Sequence, residues 1–320
     1  MDAVSNSKYG NNGKPQAYLL REKTNSWRNA NTLTYENKDL FDGRDRLNVL
    51  IGHEVSSSFK KSVENVSVAF PNTMNISEIK ANMGTGTALP TQSTLGAKEN
   101  MLSFFGRANY TLMDRYLLTF TLRGDGSSKF GKGNQWGLFP SAALEWRISD
   151  ETFMKGLSWI DDLKVRYDYG VTGNQEIGNY NSLATYRAFG WYQYNGNRFH
   201  VWGPSKNTNS ELRWEKGHNQ NVGLDFSLFS HKVTGSFNYF HRKQSDLLGD
   251  YSVPVPPNLF STIYTNVGTL RNTGFELDVT VNAVRTKDFT YSFTLVGATN
   301  NNKFVSFSND IYKGQKYYST

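Results

Sequence analysis

Asn100 to Arg123 read NMLSFFGRANYTLMDRYLLTFTLR, and this stretch decides the fold. One parity holds Phe104, Gly106, Ala108, Tyr110 and Leu112; the other holds Phe105, Arg107, Asn109 and Thr111. After Met113-Asp114-Arg115 the alternation resumes, with Tyr116, Leu118, Phe120 and Leu122 opposite Thr119, Thr121 and Arg123. A period of two with one polar face is the pattern of a strand whose two sides meet different surroundings. The three residues between the runs predict a tight hairpin.

The pattern recurs down the chain. Leu144, Trp146 and Ile148 alternate with Ala143, Glu145 and Arg147, and Leu163, Val165, Tyr167, Tyr169 and Val171 with Lys164, Arg166, Asp168 and Gly170. Val222, Leu224, Phe226 and Leu228 lie opposite Asn221, Gly223, Asp225 and Ser227; Phe275, Leu277, Val279 and Val281 lie opposite Glu276, Asp278, Thr280 and Asn282. Most runs are roughly 9–12 residues, the length a tilted strand needs to cross a bilayer and longer than the usual 5–6 of soluble strands.

The connections sort by length. Short ones are expected at Met113–Arg115, Phe229–Lys232 and Arg285–Asp288, with a slightly longer one at Asn37–Asp45. Long ones are expected at Ser56–Asn100, Gly124–Trp136, Thr172–His218 and Lys243–Thr273. Ser149–Asp161 is intermediate, with room for a helical turn over Glu151–Lys155. In an up-and-down sheet all the short turns then fall at one end. That asymmetry marks outer-membrane barrels, whose turns are periplasmic and whose loops are extracellular.

Composition bounds the alternatives. The chain has 320 residues, of which 38% are hydrophobic, and no apolar run approaches the length of a transmembrane helix. A barrel passes this test because only alternate residues meet lipid. The 18 Tyr and 21 Phe suit interfacial girdles. The absence of Cys removes thiol catalysis and cysteine-ligated zinc or iron–sulfur sites. A net charge of +7 is scattered over strand parities (Arg107, Arg123, Arg147, Lys164, Arg166), without the compact basic stripe of a nucleic-acid protein.

Further residues then carry a family likeness. DRYLLTFTLRGDGSSKFGKGNQWGLFPSAALEWRISDETFMKG (Asp114–Gly156), LKVRYDYGVTGNQEIGNY (Leu163–Tyr180), LRWEKGHNQNVGLDFSLF (Leu212–Phe229) and YTNVGTLRNTGFELDVTVN (Tyr264–Asn282) resemble, collinearly, the SusC/RagA-type TonB-linked outer-membrane transporters. The resemblance implies an all-β chain, an antiparallel transmembrane β-barrel segment of about twelve strands from a barrel of about 22. It implies a partial barrel domain over residues 1–320, with plug and N-terminal domains absent. It further implies import of large glycans or peptides, a SusD-like surface lipoprotein, the TonB complex, contact with outer-membrane lipid, and a Bacteroidetes-type Gram-negative outer membrane. A structural or adhesive surface β-domain is the alternative.

No enzyme, cofactor, metal or nucleic-acid function is expected. The glycine-rich Gly124–Gly133 lacks the strand-to-helix setting and residue order of a phosphate loop. His53, His200, His218, His231 and His241 show no paired ligand spacing. Arg187–Trp202, RAFGWYQYNGNRFHVW, supplies the candidate binding residues Trp191, Tyr192, Tyr194 and Trp202. These rings suit stacking on sugars or packing on a lipoprotein. Packing of the loop against its own neighbours, or entry of a strand into the upper aromatic girdle, is the favoured alternative. Asp250–Leu259 (DYSVPVPPNL) reads as a proline-stiffened loop. MDAVSNSKYGNNGKPQ shows no apolar signal segment, and KGQKYYST is expected to lack a terminal strand.

Overall fold

In a computed structural model, residues 2–5, 15–41, 43–71 and 73–307 are described. Most of the first sixteen residues and the closing KGQKYYST lie outside them. The chain divides into two units, 1–29 with 56–100 and 30–55 with 101–320. Its strands are β1 (Asp2–Ser5), β2 (Gln16–Leu40), β3 (Asp45–Val68), β4 (Thr87–Ala88), β5 (Gln92–Leu95), β6 (Glu99–Leu112), β7 (Tyr116–Ser127), β8 (Trp136–Arg147) and β9 (Ile160–Asn174). They continue as β10 (Tyr186–Tyr194), β11 (Asn197–Pro204), β12 (Glu215–Leu228), β13 (Val233–Ser245), β14 (Leu248–Ser252), β15 (Thr262–Asn266), β16 (Gly268–Arg285), β17 (Thr290–Ala298) and β18 (Asn301–Phe307).

One antiparallel sheet of fourteen strands follows chain order, β1-β2-β3-β6-β7-β8-β9-β12-β13-β16-β17. Among the described residues no pairing joins its last strand to its first. β17 and β18 both pair with β16, at Glu276–Arg285 and Gly268–Thr273, so they form one edge strand interrupted at 299–300. Two hairpins, β10-β11 and β14-β15, stand outside this sheet.

Register fixes the faces of the larger unit. Leu118 pairs with Tyr110 and Leu144, Leu144 with Tyr167, Tyr167 with Val222, Val222 with Tyr239, and Tyr239 with Phe275. One row of apolar side chains thus crosses seven strands. Tyr110 is half-buried and the others are exposed, Leu118 at 43% and Tyr167 at 46%, with none of them buried by the described residues. Leu118, Phe120, Leu144, Val165, Tyr167, Leu224 and Phe237 share this outer face, and Arg107, Thr121, Glu145, Arg166 and Asp225 share the inner one. A continuous exposed apolar sheet face of this extent is a liability in water and the expected surface in lipid.

The ends of the strands sort as the sequence predicts. Turns at 113–115, 148–159, 229–232 and 286–289 lie at one end; connections 128–135, 175–214 and 246–267 lie at the other. The intermediate segment carries two 3-10 turns, Ile148–Asp150 and Thr152–Met154. Two expectations need correction. Ser56–Val68 is strand rather than loop, because β3 runs on for 24 residues, and β2 runs for 25. Their far halves carry apolar residues on both parities (Tyr18, Leu19 and Leu20; Phe59, Val63, Val66 and Val68), so no single apolar parity announced them. The predicted loops Thr172–His218 and Lys243–Thr273 also fold back into hairpins of their own, β10-β11 and β14-β15.

In the smaller unit, Ala17, Phe70 and Ile79 form a small buried cluster. Helix α1 (Ile76–Ala81) is anchored there by a capping box: Asn75 accepts from the Glu78 N–H at 3.0 Å while the Glu78 carboxylate accepts from the Asn75 N–H at 2.8 Å.

At the turn end of the larger unit a single carboxylate ties three strand-end residues together. Glu151 accepts from the Tyr116 hydroxyl at 2.7 Å, the Trp146 indole at 3.1 Å and the Arg115 guanidinium at 3.2 Å. The Tyr116 and Trp146 rings lie nearly parallel beside it, 6.2 Å apart. Asp45 acts similarly, accepting from the Tyr110 hydroxyl at 2.5 Å and the Met113 N–H at 3.2 Å. Aromatic rings with polar tips held at one level make an interfacial girdle.

The Tyr116 and Trp146 donors, with Arg115 beside them, hold the Glu151 carboxyl below its ordinary range. A depressed carboxyl stabilises the fold fully above the ordinary value near 4.5 and loses that contribution as pH falls through the lower folded value. The gap in melting temperature between wild type and Glu151→Gln is therefore expected to be widest at neutral pH and to close under acid. On the outer face, Phe120→Arg in the assembled barrel is expected to cost about 2–4 kcal/mol on folding into lipid vesicles. Thr121→Arg, one residue on and facing inward, is expected to cost far less.

Candidate functional site

The inner wall is built from the polar parity of five neighbouring strands. Arg166 on β9 holds Asp225 on β12 through two bonds, Nε at 2.7 Å and Nη2 at 2.8 Å, and Nη2 also donates to Asn238 on β13 at 3.1 Å. Gly223 makes room for this fork: a Cβ there would lie 2.8 Å from the Asn238 Oδ1 and 2.9 Å from the Arg166 Nη2. Asn221 donates to Asp168 at 3.2 Å. A recess of about 640 Å³ opens over this wall, with Asp168, Asn219, Asn238, Arg242 and Glu276 among its lining. Planar guanidinium, carboxylate and amide groups in one recess offer both donors and acceptors to a polar ligand.

Above the wall, the loop ends carry a small core. Trp214 is packed by Phe130 at 5.2 Å and edge-on by Phe139 at 5.3 Å, with Leu212 and Ile177 completing the cluster. Its indole donates to the Gln135 carbonyl at 3.0 Å. The Phe139 ring lies over Gly137 and Gly173, where any Cβ would overlap it. Buried Glu215 accepts from Gln244 at 2.6 Å and from the Leu248 N–H at 3.1 Å. The wall is thus fastened to the loops at its upper edge.

Asparagines then zip two of the long loops together. Asn207 donates to the Phe260 and Thr262 carbonyls at 2.6 and 2.9 Å and accepts from the Leu259 and Phe260 N–H groups. Asn266 donates to the Arg213 and Asp246 carbonyls at 2.9 and 2.8 Å and accepts from the Arg213 N–H at 3.1 Å. Arg213 binds Asp246 at 2.6 Å. Lys206 donates to Asn181 at 2.6 Å, and burial pushes its ammonium down. Sequence reading missed these residues, since an Asn that staples a loop and one that merely faces water look alike in a polar segment.

Trp191, Tyr192, Tyr194 and Trp202 all sit on the β10-β11 hairpin, but not on one face. Trp191 and Trp202 flank His200, with ring centroids 3.7 and 6.2 Å from it. Tyr192 and Tyr194 lie on the opposite face, 6.3 Å apart and nearly parallel. All four are more than half exposed. Among the described residues the hairpin does not pair with the main sheet. From Ile177 to Ser210 the chain holds Arg187, Arg198 and Lys206 and no carboxylate, so the aromatic hairpin is also cationic.

A continuous two-faced sheet with sorted loops is the architecture of outer-membrane barrels in general, and the TonB-dependent receptor-like β-barrel family matches residues 2–320. The chain belongs to the TonB-dependent receptor β-barrel family. It is 38% identical over 218 residues to the TonB-dependent receptor SusC of Bacteroides thetaiotaomicron, covering 67% of this chain and 22% of that protein. It is 33% identical over 298 residues to the TonB-dependent receptor P3 of Formosa agariphila, covering 92% of this chain and 28% of that one. The chain spans about a fifth to a third of the length of these relatives. Among solved structures, that of the RagAB peptide transporter superposes with a TM-score of 0.79 at 25% identity, covering 96% of this chain and 33% of the other.

Within this family fold, the loop zipper is the feature most open to direct assay. Asn266→Ala is expected to cost about 1–3 kcal/mol locally, because it orphans the buried backbone groups the amide serves. Amide hydrogen exchange is expected to rise at Arg213 and through 246–266 while the strands keep their protection.

Proposed function

We propose that this chain forms part of the wall and loop crown of a SusC/RagA-type importer in the outer membrane of a Bacteroidetes-type Gram-negative bacterium. The observation that carries this reading is the division of one sheet into an exposed apolar face and a hydrogen-bonded polar face, with the two longest connections of the larger unit, 175–214 and 246–267, at the same end. An apolar outside and a solvated inside let large polar nutrients pass where lipid would exclude them. The relatives named above are receptors and a transporter, and none of them is an adhesive domain.

In this reading the substrate is an oligomeric glycan or peptide. A SusD-like surface lipoprotein meets the loop end, and the TonB complex acts from the turn end. Trp191, Tyr192, Tyr194 and Trp202 make the first contact with substrate, their rings stacking on sugar or side-chain faces. Hydroxyl- and amide-rich ligands then pass to the donors and acceptors around Arg166, Asp168 and Arg242. No chemical step on the substrate is assigned.

The test is nutritional. Deleting the gene in its own bacterium is expected to abolish growth on one polymeric glycan or peptide source while growth on its monomer continues. Restoring the gene with Trp191→Ala and Trp202→Ala is expected to raise the nutrient concentration for half-maximal growth by about two- to twelvefold per ring, matching 0.5–1.5 kcal/mol of stacking. Unchanged growth of the deletion strain on every polymeric source contradicts the reading.

A further inference from the structure

Several cations of the sheet hold a carboxylate: Arg115, Arg123, Arg166 and Arg213 bind Glu151, Asp125, Asp225 and Asp246. A group near the loop end does not. Register sets His218 on β12 opposite Lys243 on β13, Lys243 opposite Arg271 on β16, and Arg271 opposite Lys303 on β18. The four lie far apart in sequence, and only the ladder gathers them. Among the described residues none of them is in an ion pair, and Lys243, Arg271 and Lys303 are exposed. Tyr169 on β9 fixes the imidazole, its hydroxyl 3.0 Å from the His218 Nδ1. Side chains directly opposed on neighbouring strands stand about 5 Å apart, and like charges there repel. A row of this kind costs stability unless an anion lies over it.

The row ends an ordered series on each strand of the outer face. Toward the loop end the outward positions run Leu224, Val222, Gln220, His218 on β12; Phe237, Tyr239, His241, Lys243 on β13; and Leu277, Phe275, Thr273, Arg271 on β16. Apolar side chains give way to amide, imidazole and hydroxyl groups, and those to the cationic row. Phe275 packs against Phe237 and Tyr239, with ring centroids 5.7 and 5.0 Å apart. An aromatic level on a lipid-facing surface marks the membrane–water interface. Lys243 and Arg271 stand four residues outside Tyr239 and Phe275, about 10 Å along the membrane normal for a strand tilted by about 40°. That is beyond the hydrocarbon and within reach of the headgroups. At the loop ends of β6 to β8 the outward positions Leu102, Phe104, Gly124, Trp136 and Leu138 carry no charge, so the row is a local patch and not a belt.

We propose that His218, Lys243, Arg271 and Lys303 form a binding site for the phosphate of a glycolipid in the extracellular leaflet. The phosphate oxygens accept from the ammonium and guanidinium groups, which no carboxylate of the described residues occupies. A headgroup rather than an acidic protein is the occupant because each cation continues a lipid-facing series on its own strand. A sugar headgroup fits better than a glycerol one. The four opposed positions span about 14 Å across three strand spacings. Gln220, His241 and Thr273 lie just below, offering donors and acceptors to sugar hydroxyls and to amide-linked acyl groups. The inference rests on the membrane placement proposed above, and goes beyond it by assigning one anionic ligand to one patch.

The test uses the full-length receptor that carries this chain, in phosphatidylcholine nanodiscs, with lysine acetylation read by mass spectrometry. Adding monophosphorylated lipid A is expected to slow acetylation of Lys243 and Lys303 about fivefold, the scale of one cation meeting an anionic membrane surface. Lys232, at the turn end of the sheet, is expected to react at an unchanged rate. Dephosphorylated lipid A is expected to protect neither lysine, and phosphatidylglycerol, anionic but without a sugar, to protect them far less. Arg271→Gln is expected to remove most of the protection at both lysines, and Arg271→Lys to keep it. Equal protection by the dephosphorylated lipid, protection by neither lipid, or equal protection at Lys232 overturns the proposal. Equal protection by phosphatidylglycerol overturns the assignment to a glycolipid. These comparisons are made on the wild-type receptor and stand whether or not a variant folds. Failure of the receptor to enter nanodiscs refutes the membrane placement instead.

Discussion

The whole structure depends on the rule that a backbone surrounded by hydrocarbon must satisfy its own N–H and C=O groups. Antiparallel strands meet that rule between neighbours and leave side chains free to alternate. The register from Leu112↔Tyr116 through Val233↔Val281 is nearly unbroken across the membrane-length strands, with one bulge at Ser227/Leu228. With the ladder satisfied, parity alone decides what each side meets. A slip of one residue anywhere would exchange Phe120 for Thr121 and put Arg166 into lipid. The ladder is what makes the polar wall possible.

That constraint also explains where the chain's few buried side chains lie. In the membrane placement proposed above, lipid would cover the outer face and solvent the inner one, and such a wall needs no hydrophobic core beneath it. Buried apolar residues gather instead at the loop end around Trp214, where long connections must be held without membrane support. The turn end is managed by single carboxylates, Glu151 and Asp45, each gathering donors from strand termini. Polar staples at both ends and a ladder between them give a rigid wall on which loops can be displayed. The β10-β11 hairpin extends from that platform, while the 205–214 and 246–266 loops are tied down beside it by Asn207 and Asn266.

Much of this was legible in the sequence, and the boundary of legibility is physical. Leu118/Thr119 and Val165/Arg166 announce their faces because lipid and water demand opposite side chains at adjacent positions. Loop sorting was readable for the same reason, as each apolar run ends where the bilayer ends. Beyond the bilayer that contrast vanishes. The far halves of β2 and β3 place apolar residues on both parities, so their strand character left no alternation to find. The β10-β11 hairpin was read as loop because its aromatics fall on both parities, Trp191 and Trp202 on one and Tyr192 and Tyr194 on the other. The carboxylate and asparagine staples were hidden because their partners are distant in sequence: Asn207 meets Phe260, and Asp45 meets Tyr110.

The central claim is that adjacent residues of one strand meet lipid and water in strict alternation. These 320 residues hold no cysteine, so single cysteines can be placed along β7 at Leu118 through Arg123 and spin-labelled once any cysteine elsewhere in the receptor has been replaced. Accessibility to oxygen, which partitions into hydrocarbon, and to a water-soluble nickel chelate can then be read at each site in the membrane-embedded receptor. The account predicts two oscillations of period two and opposite phase, with oxygen highest at Leu118, Phe120 and Leu122 and nickel highest at Thr119, Thr121 and Arg123. Accessibilities that vary together, or that show no period of two, would contradict it.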